Sequence, residues 1–229
     1  MAKKEHIYNG KVRSIYLTEN KNEIIIQNSD NLTANNAQKR GSFEGKGAIN
    51  TEFCEIIFKY LENCGIKTHF IKKLNKTEIL AKKLDMLPYE FVVRNYAAGS
   101  FTSRFPNLKE GDKLDSPIIE VFLKDDKLND PLVVNSSVGK DITEIEEILK
   151  KINTNLLNFF DSVGLLLVDF KVEFGKDENN ILLADEISPD TCRLWDKVTK
   201  QKFDKDVFRY NLGNYENTYK EALGRLKSV

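Results

Sequence analysis

Alternating apolar positions predict a strand between residues 165 and 174. The even positions from 166 to 174 are all apolar, whereas the odd positions change from leucine to Asp169, Lys171 and Glu173. Because side chains two apart share one face of a strand, the pattern predicts three charged groups on one side of a buried strand. The solvated face of an antiparallel hairpin would show the same alternation, so the pattern alone leaves both interpretations open.

A second apolar strand is predicted from Ile181 to Ile187, after a polar turn at residues 176–180. If this turn contains an odd number of residues, odd positions pair with odd positions, and Glu173 and Asp185 become direct or diagonal neighbours on one face. Two carboxylates at such a short distance repel each other unless a positive charge lies between them. The cation usually found between two such carboxylates is a Mg²⁺ ion that also binds phosphate oxygens. Mg²⁺ is typically held by one or two carboxylates together with substrate phosphates.

The rest of the chain alternates predicted strands with three amphipathic helices. The apolar patterns place strands at 7–17 with a turn at Gly10, and at 23–28, 66–73, 77–84, 89–94 and 117–123, the last of these in the core. They place helices at 49–64, 142–163 and 215–226. Residues 30–47 have the length and polarity of a functional lid or a disordered loop. Residues 85–88 are predicted to form a turn, and residues 188–196 a loop rich in turns.

Composition narrows the class of protein. The apolar content of 41% and charged content of 31% are those of a soluble globular protein. The 35 basic and 35 acidic residues give no net charge, which excludes a global attraction to nucleic acid or an anionic membrane. An N-terminus without a signal peptide, and apolar runs well short of the roughly 20 residues that span a bilayer, predict a cytoplasmic protein. The three cysteines are widely spaced and favour reduced thiols.

Two segments combine basic residues with small or flexible ones. Lys11 and Arg13 follow Gly10, where a tight turn lets the backbone approach phosphate groups. Arg94 precedes small residues and Ser100 at the end of a predicted strand, and arginine binds a carboxylate or phosphate through two hydrogen bonds. An ordinary hairpin and a surface arginine would explain either segment taken alone.

Taken together, the motifs resemble the SAICAR synthetases, the phosphoribosylaminoimidazole-succinocarboxamide synthases of purine biosynthesis. The matching segments are GKVR (10–13), EGKG (44–47), KKLDMLP (82–88), RNYAAGS (94–100), FLKDD (122–126), VDFKVEFG (168–175) and DEISPDTCRLWD (185–196). Their order and separation over nearly the whole chain make the resemblance specific. The departures are modest: Arg13 stands where the family often has lysine, and residues 133–141 form a shorter segment than in many relatives.

The resemblance implies an α+β fold with two contiguous lobes and an ATP cleft between them. Residues 1–88 would form a β-rich ATP-binding lobe, and residues 89–229 a mixed α/β lobe with the substrate and metal sites. The implied enzyme is a cytoplasmic ligase that uses ATP and Mg²⁺ to join CAIR, a carboxylated aminoimidazole ribonucleotide, to L-aspartate. Its products would be SAICAR, ADP and phosphate, formed through an acyl phosphate. The family also implies a homodimer, and a mobile loop at residues 30–47 beside the cleft.

The resemblance also implies a role for each residue that matches the family's motifs. Those implied to bind ATP are Lys11, Arg13, Met86 and Lys124, and those implied to bind Mg²⁺ are Glu173 and Asp185. Those implied to bind the anionic groups of CAIR are Arg94, Ser100 and Arg193. Asp169, Lys171 and Asp190 would be catalytic, with Lys171 stabilising the charge that develops at the reacting centre.

Two other functions are compatible with parts of the pattern. A small-molecule kinase would also use a Gly-Lys turn and paired acidic residues, although an HRD catalytic loop is absent from the sequence; aspartate-dependent turnover would separate the two enzymes. A non-catalytic nucleotide-binding module would bind ligands without releasing ADP. The many acidic residues and arginines within the matching motifs argue against this non-catalytic function.

Overall fold

The computed structural model describes residues 3–34, 38–125, 127–178 and 180–228. Residues 35–37 of the predicted lid, residue 126 of the FLKDD motif and residue 179 of the predicted turn lie outside this range. The strands are β1 (His6–Asn9), β2 (Arg13–Leu17), β3 (Glu23–Asn28), β4 (Asn31–Ala34), β5 (Lys39–Ser42), β6 (Phe70–Lys73), β7 (Glu78–Lys82), β8 (Asp85–Tyr96), β9 (Lys113–Leu123), β10 (Leu132–Val133), β11 (Leu165–Asp177), β12 (Asn180–Ala184) and β13 (Cys192–Asp196). The helices are α1 (Lys46–Asn63), α2 (Ser100–Arg104), α3 (Ile142–Ser162), α4 (Asp206–Arg209) and α5 (Tyr215–Leu226), with a 3₁₀ segment at Asn135–Asp141.

The first antiparallel sheet has the strand order β1-β2-β3-β7-β6. The predicted turn at Gly10 and strand at 23–28 are confirmed, whereas β6 and β7 are shorter than predicted. Helix α1 packs against β3 and β6 and buries Phe53, Ile57 and Leu61. Gly65 follows the helix with a φ of 81°, a conformation that suits glycine and ends the helix as predicted.

The second sheet has the order β10-β9-β8-β11-β12, and β13 also pairs with β11. Helix α3 packs against β11 and contributes a buried apolar stripe, as the helical periodicity predicts. Phe174 of β11 and Phe91 of β8 meet edge to face at a centroid distance of 5.4 Å in the same core. The even-numbered side chains of β11 from Phe170 to Phe174 are therefore buried in the core, and the odd-numbered side chains lie on the opposite face of the sheet. None of the described helices is long and apolar enough to span a membrane.

The turn predicted at residues 85–88 is wrong, because these residues begin β8. Met86 pairs with Gly175, and Asp85 with Lys176. Pro88 lies where the register between β8 and β11 shifts, between the pairs of Glu173 and Gly175. A proline has no N–H to donate to a ladder, so an irregular position of this kind accommodates it inside a strand.

The register predicted for the β11–β12 hairpin is also wrong. The hairpin closes with the pair Asp177–Asn180, so an even number of residues lies between the strands and Glu173 pairs with Ala184. Strand β12 ends at Ala184, three residues before the predicted end. Asp185 has a φ of 66°, in the left-handed region, which takes the chain out of the ladder at that point.

Two predicted loops contain regular structure. Residues 192–196 form β13, which pairs with the first part of β11, including the pair Asp169–Arg193. The predicted lid contains the two-stranded sheet β4–β5, whose apolar residues Leu32 and Ala34 are buried. Both elements are short, and the sequence did not predict them because strand pairing depends on distant partners as well as on local propensity.

The strand predicted in the core at residues 117–123 lies within β9 and is only partly buried. Val121 is fully buried, whereas Ile118 is exposed. The neighbouring strand β10 has only two residues, which pair with Phe122 and Val121, so most of this edge of β9 has no paired strand beside it.

Candidate active site

One face of the second sheet carries rows of charged side chains. Arg94 of β8 pairs with Asp169 of β11, and Asp169 pairs in turn with Arg193 of β13. Further along β11, Glu173 pairs with Glu90 of β8. Directly paired residues of antiparallel strands share a face, so these side chains gather on one surface. Asp169 and Glu173 are buried, which rules out the solvated-face interpretation of the alternation.

The first charged group is centred on Asp169. Its Oδ2 accepts hydrogen bonds from Arg94 Nη1 at 2.7 Å and from Arg193 Nη1 at 2.8 Å. Arg94 Nε also donates to Glu120 Oε2 at 2.7 Å, and Arg193 Nε donates to Asp206 Oδ2 at 2.8 Å. Charges buried at this depth need such pairing. The two guanidinium groups are therefore fixed in place before any ligand arrives.

Gly99 lets the guanidinium of Arg193 lie directly against the RNYAAGS segment. Its backbone has a φ of 55° and a ψ of −134°, which residues with a side chain rarely adopt. A Cβ atom at this position would lie 2.8 Å from Arg193 Cζ. The glycine is needed both for its conformation and for the space it leaves.

Replacement of Gly99 by alanine should destabilise the protein by about 1–3 kcal/mol, because the left-handed backbone and the crowded guanidinium both oppose a methyl group. Gly224→Ala is a matched control, since Gly224 lies within α5 and no described atom outside that helix's backbone comes within 4 Å of its Cβ position. Alanine there should be neutral or slightly stabilising. Thermal unfolding of the two variants compares these effects, and equal melting temperatures would contradict the packing argument.

The second charged group is centred on Lys171. Its Nζ lies 2.7 Å from Glu90 Oε1, 3.5 Å from Glu173 Oε1 and 3.6 Å from Asp185 Oδ2. Glu173 Oε2 also accepts a hydrogen bond from Lys124 Nζ at 2.6 Å. The left-handed turn at Asp185 thus brings its carboxylate to the lysine beside Glu173, although the strand register does not pair the two acids.

Arg13 of β2 connects this group to the first sheet. Its guanidinium donates to Asp185 Oδ1 and lies 3.8 Å from Glu186 Oε1. The other carboxylate oxygen of Asp185, Oδ2, is buried and has no hydrogen-bond partner among the described residues. Such an atom is costly to bury and is suited to accept a further ligand.

The charges of the Lys171 group shift one another's pKa values. Burial would lower the pKa of Lys171, but the carboxylates of Asp185, Glu90 and Glu173 outweigh burial and raise it well above its usual range. Burial would raise the pKa of Asp185, but Arg13 and Lys171 hold it well below its usual range. Burial and the charge of Asp185 raise the pKa of Glu173. At neutral pH, Lys171 is therefore a cation and Asp185 an anion.

A polar cleft of about 490 Å³ lies at the GKVR turn. Gly10, Lys11 and Arg13 line it, with Asn31 and Arg40 from the β4–β5 hairpin. Arg13 therefore contributes both to this cleft and to the Lys171 group. The cleft brings basic side chains and a glycine turn together, the arrangement that the sequence suggested for phosphate binding.

The remaining predicted site residues occupy three different environments. Met86 is exposed on β8, and its Sδ would lie 2.9 Å from a Cβ atom built on Gly175, so it covers that glycine. Ser100 is exposed at the start of the short helix α2. Lys124, which bonds to Glu173, directly follows β9 and is exposed.

Asp190 belongs to a third charged group, which Asn50 links to Glu186 beside Arg13. Its Oδ2 lies 2.5 Å from Lys46 Nζ and accepts a hydrogen bond from Asn50 Nδ2 at 2.8 Å. Its Oδ1 accepts a hydrogen bond from the Tyr219 hydroxyl of α5 at 2.7 Å. Burial would raise the pKa of Asp190, but Lys46 and Lys205 hold it well below its usual range. The side chains of both Lys46 and Asp190 are almost fully buried.

Sequence reasoning missed two acidic residues that hold the site together. Glu90 lies four residues before Arg94 on the same strand, so period-two alternation already placed the two on one face. Glu120 interrupts the apolar run PIIEVFL and bonds to Arg94 from β9. An isolated acid in an apolar strand was the signal for the second residue, because a buried carboxylate needs a cationic partner.

The family model for SAICAR synthetase matches residues 6–226. The chain belongs to the SAICAR synthetase family. A phosphoribosylaminoimidazole-succinocarboxamide synthase from Nautilia profundicola is 50% identical over 232 residues, which cover 97% of this chain and 98% of the relative. The family assignment made from the motifs is confirmed.

Solved structures of SAICAR synthetases have the same fold. The phosphoribosylaminoimidazole-succinocarboxamide synthase of Ehrlichia chaffeensis superimposes with a TM-score of 0.94 at 43% identity, covering 98% of this chain and 99% of that one. A SAICAR synthetase in complex with ADP gives the same score and identity and covers 97% of each chain. The predicted α+β class is confirmed, and the SAICAR synthetase family makes the chain an ATP-dependent ligase of purine biosynthesis.

Proposed function

We propose that this SAICAR synthetase joins CAIR to L-aspartate through an acyl phosphate. A carboxylate is a poor electrophile, so one of its oxygens must first become part of a leaving group. The γ-phosphoryl group of ATP passes to a carboxylate oxygen of CAIR and ADP is released. The amine of L-aspartate then attacks the carbonyl carbon, the C–O bond to phosphate breaks, and the amine loses a proton as the amide of SAICAR forms.

The observation that carries this proposal is the position of Lys171 between two sets of cations. On one side, Asp169 holds Arg94 and Arg193 in place. On the other side, Asp185 and Glu173 hold Arg13 and Lys124. CAIR and ATP are both polyanions, so two sets of basic side chains that meet at one lysine, each held in place by carboxylates, suit two anionic substrates that react with each other. Lys171 would stabilise the negative charge on the phosphoryl group during transfer.

Glu173 and Asp185 fit a Mg²⁺ ion. Across residues 3–34, 38–125, 127–178 and 180–228, no cluster of three or more His, Cys, Asp or Glu side chains is arranged to hold a metal. Mg²⁺ needs no such cluster, since it commonly takes one or two carboxylates with phosphate oxygens and water. The buried Oδ2 of Asp185 accepts no hydrogen bond from the described residues and lies 3.6 Å from Lys171 Nζ, so it is an available ligand. When bound, the ion would neutralise phosphate charge.

Binding of Mg²⁺ would also affect the basic side chains that neutralise Glu173 and Asp185 in this structure. Arg13, Lys124 and Lys171 are all bonded to Asp185 or Glu173 or lie beside them. A divalent ion on the two acids would balance their charge in place of these three side chains. The three cations would then be able to face phosphate oxygens, which is the role that we propose for Arg13 and Lys124 in ATP binding.

We place the nucleotide between the two sheets. The strands of the first sheet end at Lys82 and those of the second begin at Asp85, which supports a boundary at residues 83–84, a few residues before the predicted one at residue 88, between an ATP-binding lobe and a substrate lobe. Lys11 at the polar cleft would contact phosphates, and Met86 would pack its polarisable thioether against the adenine ring. Closure of the segment 30–47, the role of Ser100, the homodimer and the cytoplasmic location stay predictions.

Arg193→Ala should raise the KM for CAIR by roughly tenfold or more and change the KM for ATP much less. A hydrogen bond to a charged group contributes about 1.5–3 kcal/mol, and Arg193 belongs to the group on the CAIR side. Arg225→Ala is the matched control, because Arg225 bonds instead to Gly164, Asp196 and Glu221. Steady-state kinetics give both constants, and an unchanged KM for CAIR would remove Arg193 from the substrate site.

Isotope transfer tests the proposed acyl phosphate. With ¹⁸O in both carboxylate oxygens of CAIR, one labelled oxygen should leave with the inorganic phosphate, because the C–O bond breaks in the second step. Mass spectrometry of the released phosphate measures the label. Unlabelled phosphate together with labelled SAICAR would contradict the intermediate and point to ATP hydrolysis uncoupled from the carboxylate.

A further inference from the structure

A pair of buried amides joins helix α3 to the RNYAAGS segment. Asn95 Nδ2 donates to Asn153 Oδ1 at 2.9 Å, and Asn153 Nδ2 donates back to Asn95 Oδ1 at 2.9 Å. Both residues are buried, so each amide depends largely on the other for its hydrogen bonds. The two bonds close a ring that fixes both the distance between the side chains and their orientation.

Asn95 lies where the ladders of β8 become irregular. Arg94 is the last residue of β8 that pairs with β11, and the ladder to β9 shifts its register between Arg94 and Tyr96. Asn95 Nδ2 also donates to Leu167 O at 3.4 Å, where the register between β11 and β13 begins to shift as well. The regular pairing of the second sheet therefore does not by itself determine how the chain continues after Arg94.

A slip of one residue at this point would exchange the faces of Arg94 and Asn95. Arg94 lies on the charged face, where it bonds to Asp169 and Glu120, whereas the side chain of Asn95 meets α3 on the opposite face. The amide of the helix selects the residue that can return both of its hydrogen bonds. Two leucines would fill a similar volume but could not select one register, because apolar burial is non-directional.

The segment that begins at Asn95 connects two residues of the predicted CAIR site. Arg94 directly precedes it, and Ser100 ends it. Between them, the main chain of Ala97 exchanges hydrogen bonds only with the turn at residues 111–112 before β9. The amide pair is thus the contact that fixes the start of the segment against the core, and a shift there would change how Arg94 and Ser100 are placed relative to each other.

We propose that Asn153 is a positioning residue of the CAIR site that acts through its amide pair with Asn95. The pair holds the start of the RNYAAGS segment against α3, so that Arg94 and Ser100 can bind one CAIR molecule together. This inference rests on the CAIR-binding roles of Arg94 and Ser100 in the proposed function. Asn153 itself is buried behind the sheet and would not touch CAIR.

The test compares Asn153→Leu with the double variant Asn95→Leu/Asn153→Leu. The single variant leaves Asn95 buried without its partner and should lower the melting temperature, whereas the double variant removes both polar groups and should regain most of the stability. The KM for CAIR should stay raised by about tenfold in both variants, because leucines do not restore the geometry. The KM for ATP should stay within about twofold of the wild-type value. Thermal unfolding and steady-state kinetics give these quantities.

Asn155→Leu is the matched control, because Asn155 lies on the same helix and its amide donates to Lys151 O within that helix. Both KM values should be those of the wild type in this variant. A double variant whose KM for CAIR returns to the wild-type value together with its melting temperature would show that the pair serves stability alone, which overturns the proposal. Failure of both leucine variants to fold would also overturn it, because the pair would then be a requirement of the fold.

Ser100→Ala and Arg193→Ala separate this inference from the proposed function. Ser100 is exposed, so its replacement should leave the fold intact. If these two variants raise the KM for CAIR while the asparagine variants leave it unchanged, the CAIR site stands and the positioning role of Asn153 fails. If Ser100→Ala and Arg193→Ala themselves leave the KM for CAIR unchanged, the placement of CAIR fails and the proposal for Asn153 fails with it.

Discussion

Asparagine in place of Asp185 is expected to lower kcat by about 10²–10³-fold and to weaken the dependence of the rate on Mg²⁺, while the protein stays folded. The amide keeps the shape of the carboxylate, and asparagine tolerates a left-handed backbone better than most residues. The loss is one of charge: the substituted site can no longer hold the metal through Oδ2 or balance Arg13 and Lys171. Initial rates over a Mg²⁺ titration measure the effect.

The control for this variant is Asp177→Asn, at the tip of the same hairpin. Asp177 bonds there to the Asn180 side chain, so its replacement should leave kcat within about twofold of the wild-type value. Thermal unfolding of Asp185→Asn shows whether the loss of rate is a loss of fold. Rates at limiting Mg²⁺ equal to those of the wild type would remove Asp185 from the metal site.

Methionine in place of Lys171 is expected to lower kcat by a similar factor of about 10²–10³ and to change the two KM values less. The substitution keeps the length of the side chain and removes the charge that is proposed to stabilise phosphoryl transfer. It also leaves Glu90, Glu173 and Asp185 without their shared cation, and the loss of that positive charge should raise the pKa values of Glu173 and Asp185. Steady-state kinetics with saturating Mg²⁺ separate kcat from KM.

Lys176→Met is the matched control for Lys171, since Lys176 lies on the same strand and pairs with Asp141 at 2.6 Å, outside the charged face. This variant should be close to the wild type in kcat. Lys171→Arg should recover part of the loss, because the charge returns but a planar fork replaces a compact ammonium group. A Lys171→Met variant with normal kcat and a raised KM alone would make Lys171 a binding residue instead of a catalytic one.

The parts of the fold that could be predicted from sequence are those with a local signal. Helix α3 and the part of strand β11 from Asp169 to Phe174 each bury one side against the other, so their apolar residues follow periods of 3.6 and 2, whereas the irregular register between Leu167 and Asp169 interrupts the alternation earlier in β11. Gly65 and Gly164 end the two long helices with φ values of 81° and 72°, which also follow from the residue type. The same alternation in β11 identified Asp169, Lys171 and Glu173 as one charged row.

The rest depended on contacts between distant parts of the chain. The hairpin register is set by the pair Asp177–Asn180, and Asp185 still reaches Lys171 because its backbone turns left-handed. Strand β13 forms because β11 offers it an edge, a condition that the sequence of residues 192–196 does not contain. Asp190 could be predicted as a functional loop residue, but its burial against Lys46 depends on how α1 packs.

The most direct test of the ligase is ADP release by the purified protein with ATP and Mg²⁺, with CAIR and L-aspartate omitted in turn. We expect sustained release only when both are present, because CAIR accepts the phosphoryl group and L-aspartate is needed to complete each turnover. Sustained release with CAIR alone would contradict this account in favour of a kinase, and no release with the complete mixture would reduce the protein to a nucleotide-binding module.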